Sequence, residues 1–282
     1  MQTSSVAVTA CLIVRDEADS LAACLESVRP FVAEIVVVDT GSTDGTRELA
    51  RGLGATVVRV PWRDDFAAAR NAALTSCTQP WVLSIDADER AEGLAAWLPE
   101  MLAVLDDGVL ALNLQVTQQG EFDMRVDHVH RATKLFRRDR CHWIGRVHEL
   151  VADATGLQVP APELPAEVLR LVHHGYADHE VAAWKAERNT RIAELQLAEL
   201  IAADAPDATL AHAALDLGRS QLRCGRRAHG RNSLLFARDR SAPGDQIWSW
   251  ANEFLRWDVL GATARGGAVS TVREEESRRS RG

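Results

Sequence analysis

The sequence predicts an α/β fold: a mostly parallel sheet with helices on both faces, followed by a small α-helical C-terminal region. Three observations carry this. Short, nearly all-apolar runs alternate with helix-period segments over the first half of the chain, which is the pattern of parallel strands covered on both faces. Two of those runs stop abruptly in carboxylates, EIVVVD (34–39) and WVLSIDADE (81–89). Open α/β sheets place their ligands at the carboxyl ends of strands. From Glu180 onward the periodicity is helical.

Element by element, residues 6–14 read as the first buried strand. Asp16 or Asp19 can cap a helix whose apolar face runs Leu21, Leu25, Val28 and which Pro30 ends. Residues 34–39 form the second strand, and a turn over 41–45 leads into a helix through Leu49 and Leu53 that Gly54 stops. Residues 55–60 are a third strand, 66–76 an alanine-rich helix and 81–85 the fourth strand. A helical stretch over 94–105 follows, with Pro99 as a break. Residues 109–116 and 133–137 are strands that alternate and are half exposed. The segment 151–167 carries Pro160, Pro162 and Pro165 and reads as a surface loop, and 168–173 as a short closing strand.

In the last third, Val181, Trp184, Ile192 and Leu195 make one face of a long helix. Residues 211–224 and 227–238 are a helix pair split by Gly225. The pair fits one degenerate unit of a tetratricopeptide-type hairpin, or equally an ordinary helical cap. The expected domains are 1–178, 179–263, and a disordered tail over 264–282 that is rich in glycine and charge.

Composition narrows the function classes. A formal net charge of −8 argues against nucleic acid as the main partner. The five cysteines are odd in number, far apart and without metal-ligand spacing, which fits a reducing cytoplasm. The first residues have no signal-peptide pattern, and no apolar run approaches the ~20 residues of a membrane helix. The expectation is a cytoplasmic protein whose membrane contact, if any, is peripheral.

The chemistry concentrates in four places. In extended backbone, residues i and i+2 share a side, so Asp86 and Asp88 can face one point, a suitable pair of hard oxygen donors for Mg²⁺ or Mn²⁺. An isolated Asp-x-Asp is more often a solvated acidic turn. Asp39, before Gly-Ser-Thr-Asp-Gly, can accept from a base N–H or from ribose hydroxyls, although the turn alone is a common helix cap. In WRDDFAAARN (62–71), small residues permit close helix packing and Arg70 offers a forked donor set for a diphosphate. The fourth place is WIGRVHE (143–149) together with HHGY (173–176). His128 and His130 share a side of a strand but have no third ligand at zinc spacing, so they read as polar surface or acceptor-site residues. Trp143 reads as core, with a sugar platform as the alternative.

Taken together, CLIVRDE (11–17), EIVVVDTGSTDGT (34–46), WRDDFAAARN (62–71), WVLSIDADE (81–89), GRVHE (145–149) and HHGY (173–176) resemble the family 2 glycosyltransferases of the GT-A fold, a Rossmann-like sheet. They are most similar to a bacterial branch that often carries tetratricopeptide-like helices. The motifs stand in family order over about two-thirds of the chain. The resemblance implies a catalytic domain over 1–178 and an inverting transfer from a nucleotide-sugar, most often a UDP-sugar, with a divalent metal (Mn²⁺ or Mg²⁺) as cofactor. It implies Val14, Asp39, Arg70, Asp86 and Ala87 on the donor, and Asp88, Asp86 and His173 on the metal, with His174 as the rival of His173. Glu149 is implied as the base, with His148 and Arg146 beside it, and Arg70 or Arg146 at the leaving diphosphate. One departure stands out: many relatives have two acidic residues where this chain has Asp39-Thr40.

Two other readings compete. A sugar nucleotidyltransferase wants a glycine-rich basic loop after the first strand, where this chain has Val14-Arg15-Asp16-Glu17. A catalytically silent scaffold would recruit partners through the helices, and the intact Asp86, Asp88, Arg70 and Glu149 argue against silence. The acceptor stays open among glycan, lipid-linked, peptide and small-molecule classes.

Overall fold

The computed structural model describes residues 7–118, 128–174 and 179–256. The chain divides into two compact units, Met1–Asp178 and His179–Gly282. In the first unit the elements follow in the order β1 (Val8–Val14), α1 (Ala18–Val28), a 3-10 turn (Arg29–Phe31), β2 (Glu34–Asp39), α2 (Thr46–Gly52), β3 (Thr56–Arg59), α3 (Phe66–Leu74) and β4 (Trp81–Ser84). There follow β5 (Glu89–Glu92), α4 (Trp97–Ala103), β6 (Ala111–Gln118), β7 (His128–Arg137), β8 (Cys141–Ile144), β9 (Leu150–Asp153) and β10 (Arg170–His173).

Eight strands form one sheet in the order β3-β2-β1-β4-β7-β6-β10-β5, and β8 pairs with β9 in a small hairpin. The first four strands run parallel, with Ala10 opposite Ile35 on one side and Leu83 on the other. Beyond β4 the sheet becomes mixed: β7 is antiparallel to β4 and β6, β10 is parallel to β6, and β5 is antiparallel to β10. This is an α/β, Rossmann-like sheet, as the sequence predicts. The chain winds outward from β1 to β3 and then returns to β4 on the other side of β1. That reversal opens a crevice at the carboxyl ends of β1 and β4.

Alternation along each strand builds a core on both faces. Leu12, Val37, Leu83 and Ile85 pack with Leu21 and Leu25 of α1 and Leu98 of α4. Cys11, Val36, Val38 and Val82 pack on the other face with Ala67 and Ala73 of α3, and with Trp143 and Val151 of the hairpin. Asp65 caps α3, its carboxylate accepting from the Ala68 N–H at 2.7 Å.

The structure corrects several expectations. Neither Asp16 nor Asp19 caps α1; the Ala18 N–H donates to Asp44 and the Glu17 N–H to Thr46, both from the loop after β2. Pro99 does not break the fourth helix. It sits in the first turn of α4, where its missing N–H has no intrahelical acceptor to lose. Part of the 151–167 loop is strand β9, paired through Trp143–Val151. The segments at residues 1–6 and 257–282, which include the expected tail, lie outside the described residues, as do Gly175 and Tyr176.

The second unit holds α5 (His179–Ala202), α6 (Asp207–Arg223) and α7 (Arg227–Asp239), and residues 246–256 are also helical. Its core gathers Ala214, Leu215, Leu234, Ala237 and Ala251. The expected face of α5 is not a single buried stripe. Ile192 is buried, whereas Trp184 and Leu195 are 56% and 43% exposed, and Arg188 lies over the Trp184 ring. The Val181 side chain is outside the described residues. Helices α6 and α7 approach closely at two glycines: a Cβ on Gly218 would stand 2.7 Å from Leu234 Cγ and 3.1 Å from the Gly230 carbonyl oxygen. No helix among the described residues is long and apolar enough to cross a membrane.

Two stability outcomes follow. Leu83 is fully buried between β1 and β7, so Leu83→Ala is expected to cost about 2–5 kcal/mol. It should lower the urea midpoint with the slope unchanged. Gly218→Ala gains helix propensity of about 1 kcal/mol, which overpacking of about 1–3 kcal/mol outweighs. The expected result is a lower melting temperature.

Candidate active site

The carboxyl end of β4 is closed into a tight turn by its own backbone. The Glu89 N–H donates to the Asp86 carbonyl (2.9 Å), and the Asp86 N–H donates to Glu89 Oε2 (2.9 Å). The Cys24 thiol of α1 donates to the same Asp86 carbonyl at 3.3 Å. Burial pushes that thiol far up, so it stays a protonated donor. Strand β5 leaves this turn and pairs with β10, setting Glu89 opposite His173.

That pairing brings His173 to the aspartate motif, with its Nε2 3.2 Å from Asp88 Oδ2. His174 points the other way, as alternation along a strand requires. Its side chain is exposed and its backbone N–H donates to the Asp88 carbonyl at 2.8 Å.

Asp86 faces two cations. Arg70 Nη2 donates to its Oδ1 at 3.1 Å, and Lys134 Nζ to its Oδ2 at 3.0 Å. Burial works against charge on Asp86, yet Lys134 and Arg70 hold its carboxyl far below the usual carboxylate range. Lys134 also donates to Glu89 Oε2 at 3.1 Å. Burial raises the Glu89 carboxyl against the pull of Lys134. For Lys134, burial opposes the charge, but Asp86 and Glu89 raise it above an ordinary lysine.

Arg70 projects from α3 and uses all three of its nitrogens: Nε to Glu149 Oε1 (2.6 Å), Nη1 to Ser84 Oγ (2.8 Å) and Nη2 to Asp86. Its guanidinium lies over the Trp143 ring at 5.1 Å. Burial opposes the arginine charge, but Glu149 and then Asp86 strengthen it. Trp143 is buried and packs edge-on against Phe136. Asn71, the next residue of α3, fixes this strand: its amide donates to the Trp143 carbonyl and its oxygen accepts the Trp143 N–H, both at 2.8 Å.

The Gly-Arg-Val-His-Glu turn leaves β8 with Gly145 at φ 87° and His148 at φ 53°. A left-handed histidine is uncommon and such residues cluster at functional sites. Arg146 anchors the turn to the start of α3. Its Nη1 donates to the Asp64 carbonyl (3.3 Å), and its own carbonyl accepts the Phe66 N–H (2.8 Å).

On the other side of the crevice Asp39 is 1% exposed. Its carboxylate accepts from the N–H groups of Gly41 and Ser42 and from Arg47, so it shapes the loop after β2. Asp16, at φ 54°, stitches the loop after β1 to it by accepting the Thr43 N–H at 2.6 Å. The Val14 carbonyl accepts from Thr40 at the mouth of the crevice. The Ala87 side chain is buried, and its carbonyl accepts from Arg90.

The structure thus gathers Arg70, Asp86 and Glu149 into one chain and Asp88 and His173 into a pair. Sequence reasoning missed Lys134, Glu89, Ser84 and Asn71. A lysine directly before the apolar pair Leu135-Phe136 of strand 133–137 was the signal for the first.

Comparison with known proteins places this geometry. Residues 9–157, more than half of the chain, match the family described as glycosyl transferase family 2. A TPR repeat-containing protein of Synechococcus elongatus is 38% identical over 203 residues, covering 68% of this chain and 48% of the relative. The lipopolysaccharide core biosynthesis glycosyltransferase LpsC of Rhizobium meliloti is 42% identical over 105 residues, 35% of this chain and 38% of the relative. The chain therefore spans less than half the length of these curated relatives. Among solved structures, residues 1–349 of S. aureus TarS superpose with a TM-score of 0.46 at 16% identity, over 83% of this chain and 80% of that one. With its family match spanning both carboxylate-tipped strands and the Arg70 helix, the chain belongs to glycosyl transferase family 2.

Proposed function

We propose that the protein moves a glycosyl residue from a nucleotide-sugar, a UDP-sugar in the first instance, to an acceptor hydroxyl with inversion at the anomeric carbon. The observation that carries the reading is the meeting of Asp88 with His173, beside a carboxylate–guanidinium chain from Asp86 to Glu149, in a family 2 sequence. A carboxylate in the turn before β5 and an imidazole at the end of β10 fit Mn²⁺ or Mg²⁺ better with diphosphate oxygens than alone. Among the described residues no group of three or more His, Cys, Asp or Glu side chains is arranged to hold an ion. Asp88 and His173 would therefore be the protein's share of the coordination. Asp86, committed to Lys134 and Arg70, would act through those cations and toward the donor. A divalent cation, when bound, neutralises charge that builds on the leaving diphosphate.

The residues of the chain supply the rest. Arg70 fixes Glu149 through Oε1, and Oε2 accepts no hydrogen bond among the described residues. That second oxygen takes the proton of the attacking hydroxyl. The Arg146 turn holds Glu149 and His148 on the acceptor side. Val14, Ala87 and the loop shaped by Asp39 form the nucleoside side.

The test is thermal stabilisation and nucleoside-diphosphate release over a panel of UDP-, GDP- and dTDP-sugars, with Mn²⁺ and with chelator. Metal-dependent stabilisation by one nucleotide class is expected, and Asp88→Ala should abolish it. A panel with no response in the presence of metal would sink the transferase reading. Glu149→Gln keeps an oxygen for Arg70 but loses the base, so donor stabilisation should persist while turnover falls about 10²–10⁴-fold.

A further inference from the structure

Three carboxylates stand within four residues at the end of β4, Asp86, Asp88 and Glu89. All three carry hard oxygens of the kind a divalent cation takes. Lys134 decides among them. Its Nζ stands between Asp86 Oδ2 and Glu89 Oε2, 3.0 Å and 3.1 Å away. The side chains of Lys134 and Glu89 are 13% and 4% exposed and that of Asp86 is 39% exposed, so the ion cluster is buried at the lysine and the glutamate and opens to the crevice at Asp86. Asp86 Oδ1 is taken by Arg70, which leaves both oxygens of Asp86 on fixed cations. The lysine comes from β7, whose antiparallel pairing with β4 sets Leu135 opposite Leu83.

A buried ion cluster is an expensive way to pack a core, because apolar residues of similar volume stabilise as well or better. An ammonium is also a compact point charge, closer in size to a metal ion than a guanidinium is. We propose that Lys134 is an internal counter-cation that selects where the divalent ion binds: it fills the point between Asp86 and Glu89 and so reserves coordination for Asp88 and His173. Lys134 is a positioning residue, acting through the carboxylates it holds. The inference rests on the proposed cation site at Asp88 and His173. A purely structural salt bridge would affect folding but not the number or place of bound ions.

The experiment is a Mn²⁺ titration of the full chain, followed by the electron paramagnetic resonance signal of free Mn²⁺, with Mn²⁺ alone and with UDP added. Wild type, Asp88→Ala, Lys134→Met and the double variant are compared, each with a melting curve as the check on folding. Asp88→Ala is expected to weaken binding by about tenfold or more. Adding Lys134→Met should restore it, the ion now held by Asp86 and Glu89. Lys134→Met alone should bind an additional ion per chain. Should Lys134→Met fail to fold, Lys134→Gln carries the same comparison, since it keeps hydrogen-bond donors while removing the charge. Folded variants at position 134 that leave ion number and affinity as in their parents overturn the proposal. If Asp88→Ala binds Mn²⁺ like wild type, the Asp88–His173 site itself is wrong, and gain of an ion at position 134 still reports separately on the Asp86–Glu89 pair.

Discussion

The guanidinium of Arg70 is inside the protein, and a charge in that position has to be answered on every side. Removing one partner of a buried ion pair typically costs about 3–5 kcal/mol, because the remaining charge stays in low dielectric. Arg70 is answered by Ser84 and Asp86 at the end of β4, by Glu149 beyond the β8 turn, and by the face of Trp143. Helix α3, the central strand and the hairpin are thereby held in one relative position. The alanines of α3 allow the helix to come close enough for the side chain to reach.

The two halves of the sheet divide the labour. The parallel half supplies strand ends, and these give the loops after β1 and β2 that Asp16, Asp39 and Asp44 tie together. The mixed half supplies reach. Strand β7 brings a lysine to the carboxylates from the opposite direction, and β10 brings a histidine. A sheet wholly parallel beyond β4 would need a covering crossover for each of these deliveries. Running antiparallel, β7 sets its side chains directly against the end of β4.

What could be read in the sequence follows from how local the physics is. The strands ending at Val14 and Asp39 are apolar runs closed by turn residues, and their positions were legible to within a residue or two. Strands β5, β8 and β9 are four residues each and mix polar or charged with apolar side chains, so no periodicity marks them. Without β5 there was no physical reason to put His173 beside Asp88; only the family resemblance did so. The roles of Lys134 and Glu89 depend on the register between strands distant in sequence, which no local pattern encodes. Asp39 shows the converse. Its place at the end of a strand was legible, whereas the N–H groups of Gly41 and Ser42 that its carboxylate accepts could not be read from the apolar run.

Asp88 and His173 belong to segments separated by nearly half of the first unit, and their meeting waits on β10 pairing with β5. Contacts of such long sequence separation form late and demand that the intervening chain be ordered first. A chain still being synthesised can complete β1 to β4, and even seat Asp86, without owning both members of the pair. Assembly of the pair therefore doubles as a checkpoint for completeness. A nascent or truncated chain can have its parallel strands in place while Asp88 still lacks its histidine, and the pair is complete only once β10 has docked on β5.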